Sequence, residues 1–197
     1  LSNSSDAVSW TPYNRRMSKI LGLDVSTSVT GVALVEKVDD AITALALEHI
    51  EFKDCKTLWE KVDKVKVFFE SFLKEHSPDS FFVEESLMGF RTGMSSAATI
   101  TTLAKFNGLV SYTVRNLLGK DPSYIAATSA RKRCGIKILK TSECGKNGKQ
   151  QTFEWAMAGP LKDHKWPTKK NGEPKHWARD VTDAYVIARA GALQQNT

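Results

Sequence analysis

The order of apolar segments along the chain is the feature that most constrains its fold. Three short strand-like segments come first, at residues 20–24, 31–36 and 42–52, and the pair Asp39-Asp40 marks a turn between the last two. This pattern predicts an antiparallel meander of three strands. Helix-like and strand-like segments alternate after it, and such an order favours a mixed sheet flanked by helices.

The segments after the meander show the periods of helices or strands. They are a helix at 57–76, a strand at 81–83, a long helix from Ser95 or Ser96 to Leu118, a strand at 124–127, helical segments over 128–159 with a break at 145–149, and a final helix at 179–193. The sequence therefore predicts an α/β fold built on a five-stranded mixed sheet.

Length and composition are those of one folded domain. The chain has 197 residues, of which 41% are hydrophobic, enough for a single core. No apolar run approaches the ~18 residues of a membrane span, so no membrane partner is expected. The three cysteines (Cys55, Cys134 and Cys144) lack the spacing of a zinc site, which favours a reducing compartment such as a cytoplasm or nucleoid.

The first sixteen residues are set apart from this domain. They are polar, and Met17 resembles a natural start that leads directly into the first strand. Residues 1–16 are interpreted as an added remnant or a disordered arm, and residues 17–197 as the folded domain.

The charge balance indicates a polyanionic partner. Lys and Arg number 28 against 22 for Asp and Glu, and the net charge is +6, so nucleic acid is the first candidate. Basic residues concentrate at 131–149 and 162–176. In the second stretch they alternate with Trp166 and Trp177, a pattern that suits phosphate contact and base stacking. The alternative is a solvated loop with one tryptophan on the core. The candidate DNA contacts in these stretches are Arg131, Lys132, Lys165, Lys169 and Lys170.

Four carboxylates stand out by position. Asp24 and Glu84 each end a predicted strand, and Asp180 and Asp183 lie three residues apart on one face of the last helix. A carboxylate cluster of this kind suits a pair of Mg²⁺ ions that hydrolyse a phosphodiester. Each acid also has an ordinary interpretation, such as a turn cap or a helix N-terminal charge. Neither spacing nor composition places the four together in space.

Six segments resemble, in order, the motifs of the RuvC family of Holliday junction resolvases, which have the RNase H-like fold. The segments are ILGLDVSTSVTGVAL (20–34), HSPDSFFVEESLM (76–88), LAKFNG (103–108), ATSARK (127–132), GKQQTF (148–153) and RDVTDAYVIARA (179–190). Together they are spread over nearly all of residues 17–193, in the order that the family has.

The resemblance implies a role for each matched residue. Asp24, Glu84, Asp180 and Asp183 would be catalytic and would bind two Mg²⁺ or Mn²⁺ ions. Lys149 would also be catalytic, beside the scissile phosphate. It also implies a homodimer that uses the helix at 95–118. Such an enzyme makes paired nicks across branched, four-way DNA and leaves 5′-phosphate and 3′-hydroxyl ends.

The sequence departs from the family pattern in three places, the first of which is the turn after the first strand-like segment, where Ser26-Thr27 stands in place of Pro-Gly-Ser. Leu87 stands where an aromatic wedge is common, so Phe90 or Met88 would have to open the junction and contact DNA. The link from Gly159 to Trp177 is longer than usual. These departures suggest a divergent branch, viral or organellar among the options.

Three other functions stay open from sequence. An actin-like kinase or ATPase has a similar first hairpin, but needs a far longer chain. A related RNase H-like nuclease could act on RNA–DNA hybrids or flaps, since the carboxylate chemistry is shared. A nucleic-acid-binding module without activity is the third.

Overall fold

The computed structural model describes residues 17–85 and 96–194. The interpretation of residues 1–16 and the assignments to Leu87, Met88 and Phe90 lie outside this part of the chain. The strands are β1 (Met17–Asp24), β2 (Val29–Val38), β3 (Ala41–Glu51), β4 (Ser80–Glu84) and β5 (Pro122–Ile125). The helices are α1 (Leu58–Glu75), α2 (Ala97–Leu118), α3 (Ala127–Arg133), α4 (Thr141–Cys144), α5 (Gly148–Ala158) and α6 (Ala178–Gln194).

The five strands form one mixed sheet in the order β3-β2-β1-β4-β5. Strands β1, β2 and β3 pair antiparallel, while β4 pairs parallel with both β1 and β5. The predicted meander and five-stranded mixed sheet are therefore confirmed. Because β1 and β4 are parallel neighbours, Asp24 and Glu84 reach the same edge of the sheet.

Helices cover both faces of the sheet, and the strand alternation divides the core into two halves. On one face Ile20 and Ala33 pack with α6 and parts of α3 and α5. On the other face Leu21 and Val32 pack with α1 and α2. The molecule is thus three layers deep, with α6 against the central strands. In the part of the chain described, no helix is long and apolar enough to cross a membrane.

The helical region after β5 differs from the prediction in its boundaries. Helix α5 begins at Gly148, inside the predicted break, because the Asn147 side chain accepts a hydrogen bond from the Gln150 amide and caps the helix. The non-helical stretches lie instead at 134–140 and 145–147. This shift places Lys149 in the first turn of α5.

The two tryptophans of the second basic stretch belong to the core. Trp166 and Trp177 are 8% and 9% exposed. The Trp166 indole donates to Met157 Sδ, and Trp177 stacks on His49 at a ring-centre distance of 3.8 Å. Of the two alternatives that the sequence left open, the structure supports packing on the core, and it does so for both rings. The lysines between them are exposed.

Candidate active site

Close contact between α6 and the sheet sets the position of the acidic pair. Gly22 on β1 and Gly31 on β2 face the helix backbone, and a Cβ on either would overlap it, at Ala184 O and at Asp180 O respectively. The absence of side chains at these glycines brings the first turn of α6 down onto the ends of β1 and β2. Asp180 and Asp183 consequently lie beside Asp24.

Lys149 lies at the centre of three of the predicted carboxylates. Its Nζ is 2.9 Å from Asp24 Oδ2, 2.6 Å from Asp180 Oδ1 and 3.4 Å from Asp183 Oδ2. Because all three distances converge on one nitrogen atom, the three acids form one cluster. The structure thus brings together residues from β1, α5 and α6 that are up to 159 positions apart in sequence.

Glu84 faces this cluster from the end of β4. The Asn107 side-chain amide donates to the Glu84 backbone oxygen at 2.9 Å, which ties α2 to the strand end. Burial, and after it the negative charges of Asp24 and Asp183, raise the pKa of Glu84 to about 8. The fourth predicted acid therefore interacts electrostatically with two of the other three, Asp24 and Asp183.

The pKa shifts of the other residues indicate that the carboxylates are desolvated and that the Lys149 ammonium neutralises part of their charge. Burial is the main cause that raises the pKa of Asp24 to about 6, and burial also raises the pKa of Asp183. Burial alone would lower the pKa of Lys149, but Asp24, Asp183 and Asp180 outweigh it and raise that pKa above its usual value. The positive charge of Lys149 is therefore firmly retained.

Arg131, which was predicted to contact DNA, is largely buried and forms an ion pair with Asp183. Its Nη2 donates to Asp183 Oδ1 at 3.1 Å, and its side chain is only 16% exposed. The arginine therefore orients Asp183 and offsets its charge, a role that sequence reasoning missed. The basic position in the ATSARK motif was the available signal, but it gave no partner. Contact between Arg131 and DNA stays a prediction.

The other predicted DNA contacts lie on the surface. Lys132, Lys165, Lys169 and Lys170 are exposed, and Lys169 forms an ion pair with Glu173 at 3.2 Å. Their role in binding stays a prediction, and Phe90 falls outside the described residues.

The donor atoms of the cluster fit a hard divalent cation. All are carboxylate oxygens, and Asp183 Oδ2 is buried without a hydrogen bond although Lys149 lies within ion-pair distance. Within residues 17–85 and 96–194, no three His, Cys, Asp or Glu side chains are closed around a single metal position. The Lys149 ammonium explains this arrangement, because it stands where the carboxylates converge. Metal binding would require Lys149 to withdraw.

Fold and topology define an RNase H-like α/β domain with an acidic cluster at the sheet edge. No family model and no curated protein matches the sequence, whereas solved structures do. Thermus thermophilus RuvC in complex with a Holliday junction substrate aligns over 91% of this chain and 95% of that chain, with a TM-score of 0.62 and 14% identity.

Two further solved structures have the same architecture. A second Thermus thermophilus RuvC structure gives a TM-score of 0.59 at 16% identity, over 90% of this chain and 95% of that chain. The yeast mitochondrial Holliday junction resolvase Ydc2 gives 0.58 at 13% identity, over 91% and 79%. The predicted RNase H-like, RuvC-type fold is confirmed.

Proposed function

We propose that this protein is a crossover junction endodeoxyribonuclease that resolves Holliday junctions by metal-dependent hydrolysis, leaving 5′-phosphate and 3′-hydroxyl ends. The observation that carries this proposal is the convergence of Asp24, Asp180 and Asp183 on one point at the sheet edge. The fold supports it, because solved neighbours with the same architecture are junction resolvases. A cluster of desolvated acids has little use in a structural domain, since it costs stability.

Each residue of the cluster has a task in this proposal. Asp24, Glu84, Asp180 and Asp183 would hold two Mg²⁺ or Mn²⁺ ions, which when bound would activate water and stabilise the leaving oxygen. Lys149, released from the carboxylates, would bind an oxygen of the scissile phosphate. Arg131 would keep Asp183 oriented from behind.

A homodimer is the second part of the proposal. A four-way junction has two-fold symmetry, so paired nicks need two sites related by a two-fold axis. Helix α2 offers an exposed stripe for the contact, made of Ala98, Thr101, Lys105, Gly108 and Tyr112. A Cβ on Gly108 would meet nothing within 4 Å, and Tyr112 is 62% exposed. This supports the long helix as the interface.

A reducing compartment completes the proposal, with a viral or organellar origin among the options. All three cysteines are free thiols, and burial raises the pKa of Cys134 to about 11, so that thiol is unreactive.

The decisive test is cleavage of a synthetic four-way junction and a linear duplex, in Mg²⁺ and in EDTA. Asp24→Asn keeps the shape of the side chain but removes a ligand charge. We expect it to lower the cleavage rate more than about a hundredfold, beyond the 10–100-fold effects of changes outside the ligand shell. Junction binding should stay the same or tighten, because a charge that repels phosphate is lost.

Asp63→Asn is the matched control, since Asp63 is exposed on α1, and it should leave cleavage unchanged. Full cleavage activity of Asp24→Asn would contradict the proposed metal-dependent mechanism. Equal competition by junction and duplex at every salt concentration would indicate a general nuclease. Preference for an RNA–DNA hybrid or a flap would indicate a related RNase H-like activity.

A further inference from the structure

Two adjoining depressions lie beside the acidic cluster, of which Asp180 lines one, and together we call them the strand groove. The first has a volume of about 340 Å³ and lies between α5 and the turn at 167–175, with Arg179 among its lining residues. The second has a volume of about 440 Å³ and lies between Thr27-Ser28, the end of β3 and Asp180. His176 lines both depressions. The groove therefore runs from Asp180 of the candidate site to Arg179.

The outer wall of the first depression is a well-defined turn. The Lys175 amide donates to Pro167 O at 3.0 Å, and the Lys169 amide donates to Glu173 O at 2.7 Å. The buried rings of Trp166 and Trp177 anchor the two ends of the segment in the core. The wall thus has a fixed position without DNA. It belongs to the long 159–177 link, which the six family motifs do not cover.

The free cationic side chains in the first depression are Arg179 and Lys175. Both are exposed, and within the described residues neither side chain makes a hydrogen bond or an ion pair. The acids on the same walls are compensated, because Glu154 is 2.8 Å from Lys146 and Glu173 is 3.2 Å from Lys169. Arg179 also interacts electrostatically with Glu154 and Glu173. Because each of these acids is paired with its own lysine, the depression still carries a net positive charge beside the acidic cluster.

We propose that this depression is a subsite for the phosphodiester next to the scissile one, with Arg179 as its main contact and Lys175 as its second. The inference rests on the proposed function, because it places the scissile phosphate at Asp180. Arg179 and Asp180 are consecutive residues that line opposite halves of the groove. A single strand with one phosphate at Asp180 would bring a neighbouring phosphate to Arg179, whose guanidinium suits phosphate oxygens.

Arg179 would also reduce the electrostatic repulsion between the DNA phosphates and the carboxylate cluster. Phosphates approach a cluster of carboxylates only if positive charge lies close by. Without metal, Arg131 and Lys149 are engaged with those carboxylates, so other cations must attract the approaching strand. The subsite would fix the strand's position along the groove, which selects the bond that reaches Asp180.

The test is a double-substitution cycle that combines Arg179→Gln in the protein with a neutral methylphosphonate in the DNA. The methylphosphonate replaces, one at a time, each of the phosphodiesters around the crossover. Junction affinity is measured without metal, at several salt concentrations. Arg179→Gln should weaken binding of the ordinary junction about tenfold for each subunit of the dimer, as loss of one charged hydrogen bond does. The slope of log K against log salt should fall by about 0.9 per subunit, because each subunit loses one phosphate contact. Arg179→Lys should restore the slope and part of the affinity.

Lys162→Gln is the matched control, because Lys162 is exposed but does not line the groove. At one position the methylphosphonate should weaken wild type and Lys162→Gln but not Arg179→Gln. If the losses of binding free energy from Arg179→Gln and from the methylphosphonate are additive at every position, the subsite is overturned. Coupling found at one position while wild type cleaves no junction in Mg²⁺ would retain the subsite and overturn the proposed function.

Discussion

At the scale of single residues, Lys149 stabilises the acidic cluster when no metal is bound. Its ammonium contacts three carboxylates, and removing it would leave their charges to repel one another. We expect Lys149→Gln to lower the free energy of unfolding in EDTA by about 1–3 kcal/mol, reduced from the value for a fully buried pair because Lys149 is 43% exposed.

Mg²⁺ should then raise the melting temperature of Lys149→Gln more than that of wild type, because no ammonium competes with the metal. The measurement is a thermal melt across Mg²⁺ concentrations. Lys146→Gln is the control, since it breaks only the exposed pair with Glu154. An equal Mg²⁺ effect on wild type and Lys149→Gln would show that Lys149 does not occupy the metal position.

Glu84 predicts a pH dependence of stability. Burial, then Asp24 and Asp183, raise the pKa of Glu84 from 4.5 to about 8, while Lys149 and Arg131 oppose the shift. The folded state therefore binds the proton more tightly than the unfolded state. The stability from this proton is fully present below pH 4.5 and is lost as pH rises toward 8.

Glu84→Gln resembles the protonated form and should remove this dependence. Between pH 5 and 8 in EDTA, wild type should lose on the order of 2 kcal/mol more unfolding free energy than Glu84→Gln, measured by urea denaturation. Glu85→Gln, at the exposed neighbour, should follow wild type. Parallel pH profiles for wild type and Glu84→Gln would contradict the desolvated position of Glu84.

At the scale of elements, the seating of α6 on the sheet depends on Gly22 and Gly31. A methyl group at either would overlap the helix backbone, which cannot move aside as a side chain would. We expect Gly22→Ala and Gly31→Ala each to lower the unfolding free energy by about 2–4 kcal/mol, at or above the usual cost of overpacking. Gly31→Ala should also abolish cleavage, because the overlap is at Asp180.

Chemical denaturation and the junction assay would measure both effects. Gly148→Ala is the control, since its Cβ would make only ordinary contact, at 3.6 Å from Arg131 Nη1, and Gly148 lies in the first turn of α5, where alanine is favourable. Its unfolding free energy should be no more than about 0.5 kcal/mol below that of wild type. A stable, active Gly31→Ala protein would mean that α6 does not touch β2 so closely.

Elements with a strong local period were predictable, and those that depend on long-range contacts were not. The meander and α1 follow from alternating and amphipathic patterns, so their bounds agree closely with the structure. The start of α5 depends on the N-cap at Asn147. The glycine and lysine residues around Asn147 favour a loop, so the sequence pattern did not indicate a helix start there. The burial of Trp166 depends on Met157 and Phe153, and no local pattern announces such partners.

The site shows the same division. Asp24 and Glu84 could be placed at strand ends, and Asp180 and Asp183 on one helix face, because these are local properties. Their convergence with Lys149 needed either the family resemblance or the structure. The ion pair between Arg131 and Asp183 depends on how α3 packs on α6, so sequence reasoning assigned that arginine to DNA alone.

At the scale of the whole molecule, the proposed homodimer predicts both a mass and a product. Tyr112 lies on the exposed stripe of α2, and a charge there would be buried in the interface without a partner. Tyr112→Glu should therefore sediment near the monomer mass of 21.9 kDa, whereas wild type should sediment near twice that mass. Leu45→Glu is the control, because Leu45 is exposed on β3, at the opposite edge of the sheet from β5, and it should leave the dimer intact.

The product follows from the number of sites held on one junction. On a supercoiled plasmid with an extruded cruciform, a dimer cuts both strands before it dissociates, so wild type and Leu45→Glu should yield linear DNA. A monomer cuts once, and the nick releases the supercoiling that sustains the cruciform, so Tyr112→Glu should yield nicked circles. Because the acidic cluster is unchanged, the rate of the first nick at saturating enzyme should stay near that of wild type. A monomeric Tyr112→Glu protein that still yields linear DNA at the wild-type rate would show that paired cleavage does not require the α2 interface.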